Sequence, residues 1–166
     1  MRELASIEEI GQALKWICGI LREQCVPFQI VGGLAAHAFG SGRPVVDIDL
    51  YAPLAEHPEL LQVLAAAAVW GPQHYRDEIW DLVFMKLYHG RVRIEIGDSS
   101  ANPRYFDQIA QRWTNQRIDF TCSTQHILFG VQVPVIPKQE LIAYKKALNR
   151  DVDVIDIAQI TTADRR

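Results

Sequence analysis

The chain has 166 residues, 49% of them hydrophobic and 22% charged, with a formal net charge of −3. That length suffices for one domain with a proper core, the composition is ordinary for a globular soluble protein, and the acidic balance argues against a surface that grips a long nucleic-acid duplex, while leaving room for a local basic groove. Cys18, Cys25 and Cys122 form no CxxC pair and are odd in number, as expected of reduced, mostly buried thiols in a cytoplasmic protein. Met1 to Glu9 carries acidic residues where a signal peptide needs an apolar segment, and no apolar run reaches membrane-spanning length.

The first predicted element is a helix beginning at Ser6, which has capping-box spacing to Glu9. Ile7, Ile10, Leu14, Ile17 and Leu21 recur at helical spacing as its core stripe. Pro27 ends this region before a strand over Phe28 to Val31, a Gly32-Gly33 turn and a short alanine-rich helix from Leu34 to Phe39. Gly40, Ser41, Gly42 and Pro44 break that helix, and Val45 to Tyr51 alternates as a strand does. Pro58 suits a helix first turn, Glu59 to Val69 reads as the helix body, and Gly71-Pro72 stops it. Trp80 to Tyr88 and Arg91 to Ile96 read as strands joined at His89-Gly90. Pro103 to Trp113 reads as a short helix with Tyr105, Phe106 and Ile109 inward. Arg117 to Cys122 and Val131 to Ile136 read as strands, with Thr124 to Phe129 left unassigned. Pro137 opens a helix to Leu148, and a second runs from about Asp151 to Thr161. The expected fold is α/β, a small mixed sheet flanked by helices in a single domain over 1–166, with the two C-terminal helices (about 137–161) packed on it.

Chemistry concentrates between Ile30 and Tyr51. A Gly-Gly turn before a helix lets the backbone approach a ligand closely and leaves free N–H groups at the positive helix end, a ready anion site. Alternation sends Asp47 and Asp49 to one side of their strand and Val46, Ile48 and Leu50 to the other. Two carboxylates so close repel one another unless a cation lies between them, and oxygen ligands of this kind suit Mg²⁺. A phosphate cradle beside a metal-binding carboxylate pair equips a site for phosphoryl or nucleotidyl transfer.

These residues resemble the core motif of the polymerase-beta-type nucleotidyltransferase superfamily: Gly32-Gly33-Leu34-Ala35, Arg43 and Asp47-Ile48-Asp49-Leu50 fit it position by position. One departure is Val45, where many relatives carry Thr or Ser. A second stretch, from Leu141 to Ile157, resembles the Lys-bearing terminal helices of small members, with Lys145, Arg150, Asp153 and Asp156 at matching spacing. The resemblance implies the nucleotidyltransferase fold and transfer of a nucleoside monophosphate from an NTP to an acceptor hydroxyl, with Mg²⁺ and release of pyrophosphate. It requires a third carboxylate on a neighbouring strand. Glu95 suits that place, and the resemblance sets this third acid near the acceptor hydroxyl as its general base; Asp98 and Asp81 are the rivals, and an exposed strand residue paired with Arg93 is the plain alternative. It also implies that Gly32, Gly33, Arg43 and Lys145 contact the nucleotide, and Ser41, a hydroxyl in the glycine loop, is placed to donate to a phosphate as loop hydroxyls commonly do. Lys145 and its neighbour Lys146 remain alternatives for the cation facing the cleft, and Asp153 and Asp156 fit a solvated helix with local charge pairs equally well. A catalytically inactive nucleotide-binding regulatory or antitoxin-like module of the same fold stands as the alternative function. The acceptor is unidentified, a small molecule being favoured over tRNA or protein, no membrane partner is expected, and a homodimer is compatible with so short a chain.

Overall fold

In the computed structural model, which describes residues 4–166, the strands form one mixed sheet whose two faces differ in purpose. The central strands are β1 (Gln29–Val31), β2 (Asp47–Ala52), β4 (Trp80–His89) and β5 (Val92–Asp98). β1 pairs antiparallel with β2, β2 parallel with β5, and β5 antiparallel with β4. β3 (Ala68–Arg76) lies along one edge of β4, and β6 (Arg104–Asp107) continues from β5 along the other and pairs with β7 (Arg112–Asn115). Beyond β1, β9 (Val131–Val135) and β8 (Thr124–Leu128) complete the order β7-β6-β4-β5-β2-β1-β9-β8.

The period-two pattern of β2 and β5 decides the layering. Ile48, Leu50, Ile94 and Ile96 are buried on one face, where helix α1 (Ile7–Glu23) packs across β2, β5 and β9. Ser6 and Glu9 form the predicted capping box, and Arg91 grips the Glu9 carboxylate with two hydrogen bonds of 2.9 and 2.8 Å. Ile10, Leu14, Ile17 and Leu21 are buried as the spacing predicts, but Ile7, in the first turn, is 71% exposed. The opposite face carries the acidic residues and is bordered by α2 (Gly32–Ala38), α4 (Lys138–Leu148) and α5 (Asp151–Ala163), which contact one another.

Three predicted elements differ. The helix after Pro58, α3, ends at Leu64, and Ala68 already belongs to β3. Alanine is the best helix former, but propensity is a small term that tertiary context overrides; here the Ala68–Leu87 pairing and the contact of Trp70 with Phe84, ring centroids 4.4 Å apart, outweigh it. Gly71-Pro72 lies inside β3 at a register irregularity, which an edge strand tolerates. Pro103 to Trp113 is no helix but the β6–β7 hairpin, in which Phe106 faces Trp113 across the strands and Ile109 stands 70% exposed at the tip. Asp107 makes the turn by accepting from the N–H groups of Ile109 and Ala110. Arg117 to Cys122 forms no strand; it ends in a short 3₁₀ turn over Phe120–Cys122 capped by Asp119. Of the three cysteines only Cys18 is buried, contrary to expectation, and none forms a disulfide. No helix among the described residues is long and apolar enough to cross a membrane.

Candidate active site

The parallel pairing of β2 with β5 sets the acids side by side. Asp47 is in register with Arg93 and Asp49 with Glu95, while Lys86 of β4 is opposite Glu95 on its other side. Because strand side chains alternate, Asp47, Asp49 and Tyr51 share one face with Arg93, Glu95, Lys86 and Phe84. They line a cavity of about 470 Å³ that extends to Gly32, Trp80, Tyr144 and Arg150.

Each acid has a different electrostatic situation. Asp47 is held by Arg93 in a short ion pair. Glu95 lies 3.7 Å from Lys86 Nζ and 3.5 Å from Arg93 Nε. Among the described residues nothing donates a hydrogen bond to Asp49, whose carboxyl is packed by protein except where it opens on the cavity. Burial, with the nearby charges of Asp47 and Glu95, pushes its pKa up to about 8, against the pull of Arg93 and Arg150. Gly32 explains how so crowded a carboxyl fits: a β-carbon there would come within 2.6 Å of Asp49 Oδ2, and its φ of +65° suits glycine.

Among the described residues no three acidic, histidine or cysteine side chains converge as a closed metal site. The donor set fits a hard divalent cation all the same. Three carboxylates from adjacent strands share one face, and the central one is unpartnered and repelled by its neighbours, the imbalance a bound cation relieves.

The remaining predicted residues gather behind this row. Lys145 is only 1% exposed, its Nζ 3.1 Å from Asp153 Oδ1 and 2.9 Å from Asp156 Oδ2. Lys146 is exposed, so Lys145 is the inward lysine. Arg43 holds Asp156 through Nε at 3.0 Å and Nη2 at 2.9 Å, and the Ser41 hydroxyl donates to Asp156 Oδ1 at 2.7 Å. Although burial alone would raise Asp156, hydrogen bonds from Arg43, Lys145 and Ser41 bring its pKa down to about 2. Asp153 and Asp156 are fully buried rather than solvated, so α5 turns its carboxylates inward and leaves Val152, Val154 and Ile155 at the surface. Ser41, Arg43 and Lys145 thus do not line the cavity; they secure α5 and α4 to the loop after α2. Gly33 packs beside Arg43, where a β-carbon would lie 3.3 Å from Nη2.

The cation of this network that does line the cavity is Arg150. Its Nε donates to Asp153 Oδ2 at 2.7 Å and its guanidinium lies 5.7 Å over the Trp80 ring. The sequence pattern includes Arg150 without giving it a role and offers Arg93 only as a charge partner of Glu95, a pairing the fold retains at 3.5 Å; Lys86 is the cavity cation that the sequence does not single out. The rivals to Glu95 have other tasks. Asp98 caps the turn after β5 and accepts from Ala55 N–H, and Asp81 is engaged by Arg104, Arg76 and His74.

The fold is that of nucleotidyltransferases. A Thermotoga maritima protein assigned as a nucleotidyltransferase superposes with a TM-score of 0.64 at 18% identity, covering 95% of this chain and 91% of its own. The lincosamide antibiotic adenylyltransferase LnuA, in its lincomycin-bound structure, gives 0.62 at 13% identity over 98% and 99% of the two chains. The ANT(2'')-Ia structure in complex with adenylyl-2''-tobramycin gives 0.55 at 16% identity over 92% and 88%. Comparison of the sequence with protein-family models and with curated protein sequences finds no match.

Proposed function

We propose that this chain is a nucleotidyltransferase that moves a nucleoside monophosphate from an NTP to the hydroxyl of a small acceptor. The observation that carries the reading is the acid row of β2 and β5, with unpartnered Asp49 against Gly32 on one side and Glu95 on the other. Structural neighbours that act on or bind antibiotics support a small-molecule acceptor over tRNA or protein.

In this reading Asp47, Asp49 and Glu95 would hold Mg²⁺, which when bound supplies neutralisation of the triphosphate and polarisation of the α-phosphorus. Gly32 and Gly33, lacking side chains, let the phosphates approach the backbone. Arg150 adds positive charge at the cavity wall, held in place by Asp153. Arg43, Lys145 and Ser41 act from behind by fixing Asp156 and α5. The acceptor oxygen attacks the α-phosphorus in line with the bond to the leaving group. Its proton passes to the Glu95 carboxylate, a new O–P bond forms, and the bond from the α-phosphorus to the bridging oxygen breaks to release pyrophosphate. Lys86, 3.7 Å from Glu95, keeps that carboxylate oriented before transfer.

The test is a thermal shift with each of the four NTPs, with and without Mg²⁺, on wild type and on Asp47→Asn/Asp49→Asn. Stabilisation that needs both nucleotide and Mg²⁺ and is absent in the variant is expected; an identical shift in the variant contradicts the assignment of the acids.

A further inference from the structure

The register that aligns the acids also continues the same face outward into a second, apolar surface. Gly97 of β5 is opposite Phe84 of β4, and Leu82 is opposite Tyr75 of β3. These positions share the parity of Glu95 and Lys86, so Phe84, Leu82 and Tyr75 form a floor that begins beside Glu95 and runs away from Gly32. All three side chains line the cavity. The Phe84 ring is fixed between Trp70, at 4.4 Å, and Tyr75, edge-on at 5.8 Å. Beside Phe84 the space over Gly97 is filled by the Tyr51 ring, which a β-carbon on Gly97 would strike at 2.3 Å. The floor is therefore built around the packed Phe84 ring, with Tyr75 and Leu82 beside it.

We propose that this floor of Tyr75, Leu82 and Phe84 is the acceptor subsite, and that the acceptor is a hydroxyl compound with an aromatic or otherwise apolar body and no amine beside the reacting hydroxyl. The inference rests on the nucleotidyl-transfer reading. In-line displacement requires the acceptor to enter opposite the leaving pyrophosphate. In that reading the phosphates lie toward Gly32, on the β1 side of the acids, so the acceptor approaches from the β4–β3 side, over Glu95. Charge selects against polyamines there. Lys86 Nζ lies between Glu95 and the floor, 3.7 Å from one and 5.9 Å from the Phe84 ring centre, and repels an amine next to the attacking oxygen. The carboxylate near the floor, Asp77, is already engaged: it accepts from the Tyr75 hydroxyl at 2.8 Å and from the N–H groups of Ile79 and Trp80 at 2.8 and 2.6 Å. Its oxygens are thus occupied in shaping the β3–β4 turn.

The experiment measures pyrophosphate release from Mg·NTP with two acceptor sets, phenols and aryl-alkyl alcohols in one and amino sugars including tobramycin in the other. Wild type is compared with Phe84→Ala and, to guard against loss of folding, Phe84→Leu and Tyr75→Ala. The expected result is release with the first set only, an acceptor KM raised at least tenfold in Phe84→Ala, and an NTP KM changed less than twofold. Release with amino sugars only overturns the proposal, as does release with neither set by a protein whose melting temperature responds to Mg·NTP. A Phe84→Ala effect confined to NTP KM also overturns it, since the floor then holds the nucleobase. Absence of any melting response to Mg·NTP defeats the transfer reading itself, and the two failures are thereby told apart.

Discussion

Asp49→Asn should make the metal-free protein more stable, and the gain should grow with pH. In the unfolded chain Asp49 ionises near 3.8, but in the fold it holds its proton to about 8. Between those values the folded state binds more protons than the unfolded state, so this group lowers stability as pH rises, the reverse of a salt-bridged aspartate. At roughly 1.4 kcal/mol per pKa unit the full penalty is about 6 kcal/mol above pH 8. One side of the carboxyl opens on the cavity, so solvent screening reduces this to about half. Asparagine keeps the shape and never ionises. The difference between variant and wild type should be about 1 kcal/mol at pH 5, about 2 at pH 7 and about 3 at pH 9. Urea unfolding in EDTA at these three pH values reads it directly, as a shift in midpoint at constant slope. Equal stabilities at pH 9, or a difference that shrinks as pH rises, would refute the reasoning that an unpartnered, repelled carboxyl stands at the centre of the site.

Gly32→Ala should lose about 1–2 kcal/mol through its left-handed backbone and the contact with Asp49 Oδ2, and should abolish the Mg·NTP melting response. Lys145→Met leaves Asp153 and Asp156 short of a buried cation and should cost about 3 kcal/mol or more, whereas Lys146→Met should stay within about 0.5 kcal/mol in the same urea titration. Asp156, held down to about 2, contributes stability that is complete above pH 4 and lost as pH falls toward 2; acid titration of wild type against Asp156→Asn should show the two curves converging over that window. Asp81→Asn should leave the Mg·NTP melting response unchanged while Glu95→Gln removes it, which separates the two acids.

The acid row was legible in the sequence because it depends on local rules. Alternation fixes which face Asp47 and Asp49 occupy, and a hairpin turn at Gly90 fixes the phase of Glu95 relative to β4. The glycine at 32 was legible for the same reason, as the residue type that a close approach demands. What lay beyond sequence reasoning was long-range. Ser41, Arg43 and Lys145 read as ligands for phosphate, but the fold brings Asp156 to all three from more than a hundred residues away in the case of Ser41 and Arg43, and Arg150 takes the position at the cavity. α5 misleads because its buried face carries aspartates and its exposed face valines, the inverse of the usual amphipathic pattern. The β6–β7 hairpin was hidden because its turn is made by an aspartate side chain rather than by Asn-Gly or Asp-Gly.

The most direct measurement of the central claim is the binding of Mn²⁺, as a paramagnetic stand-in for Mg²⁺, followed by electron paramagnetic resonance in the presence of an NTP. Wild type should bind the ion together with the nucleotide, and Asp49→Asn and Glu95→Gln should each lose that binding while remaining folded. Mn²⁺ and nucleotide bound by both variants as tightly as by wild type would contradict the claim that Asp47, Asp49 and Glu95 form the metal-binding heart of this site.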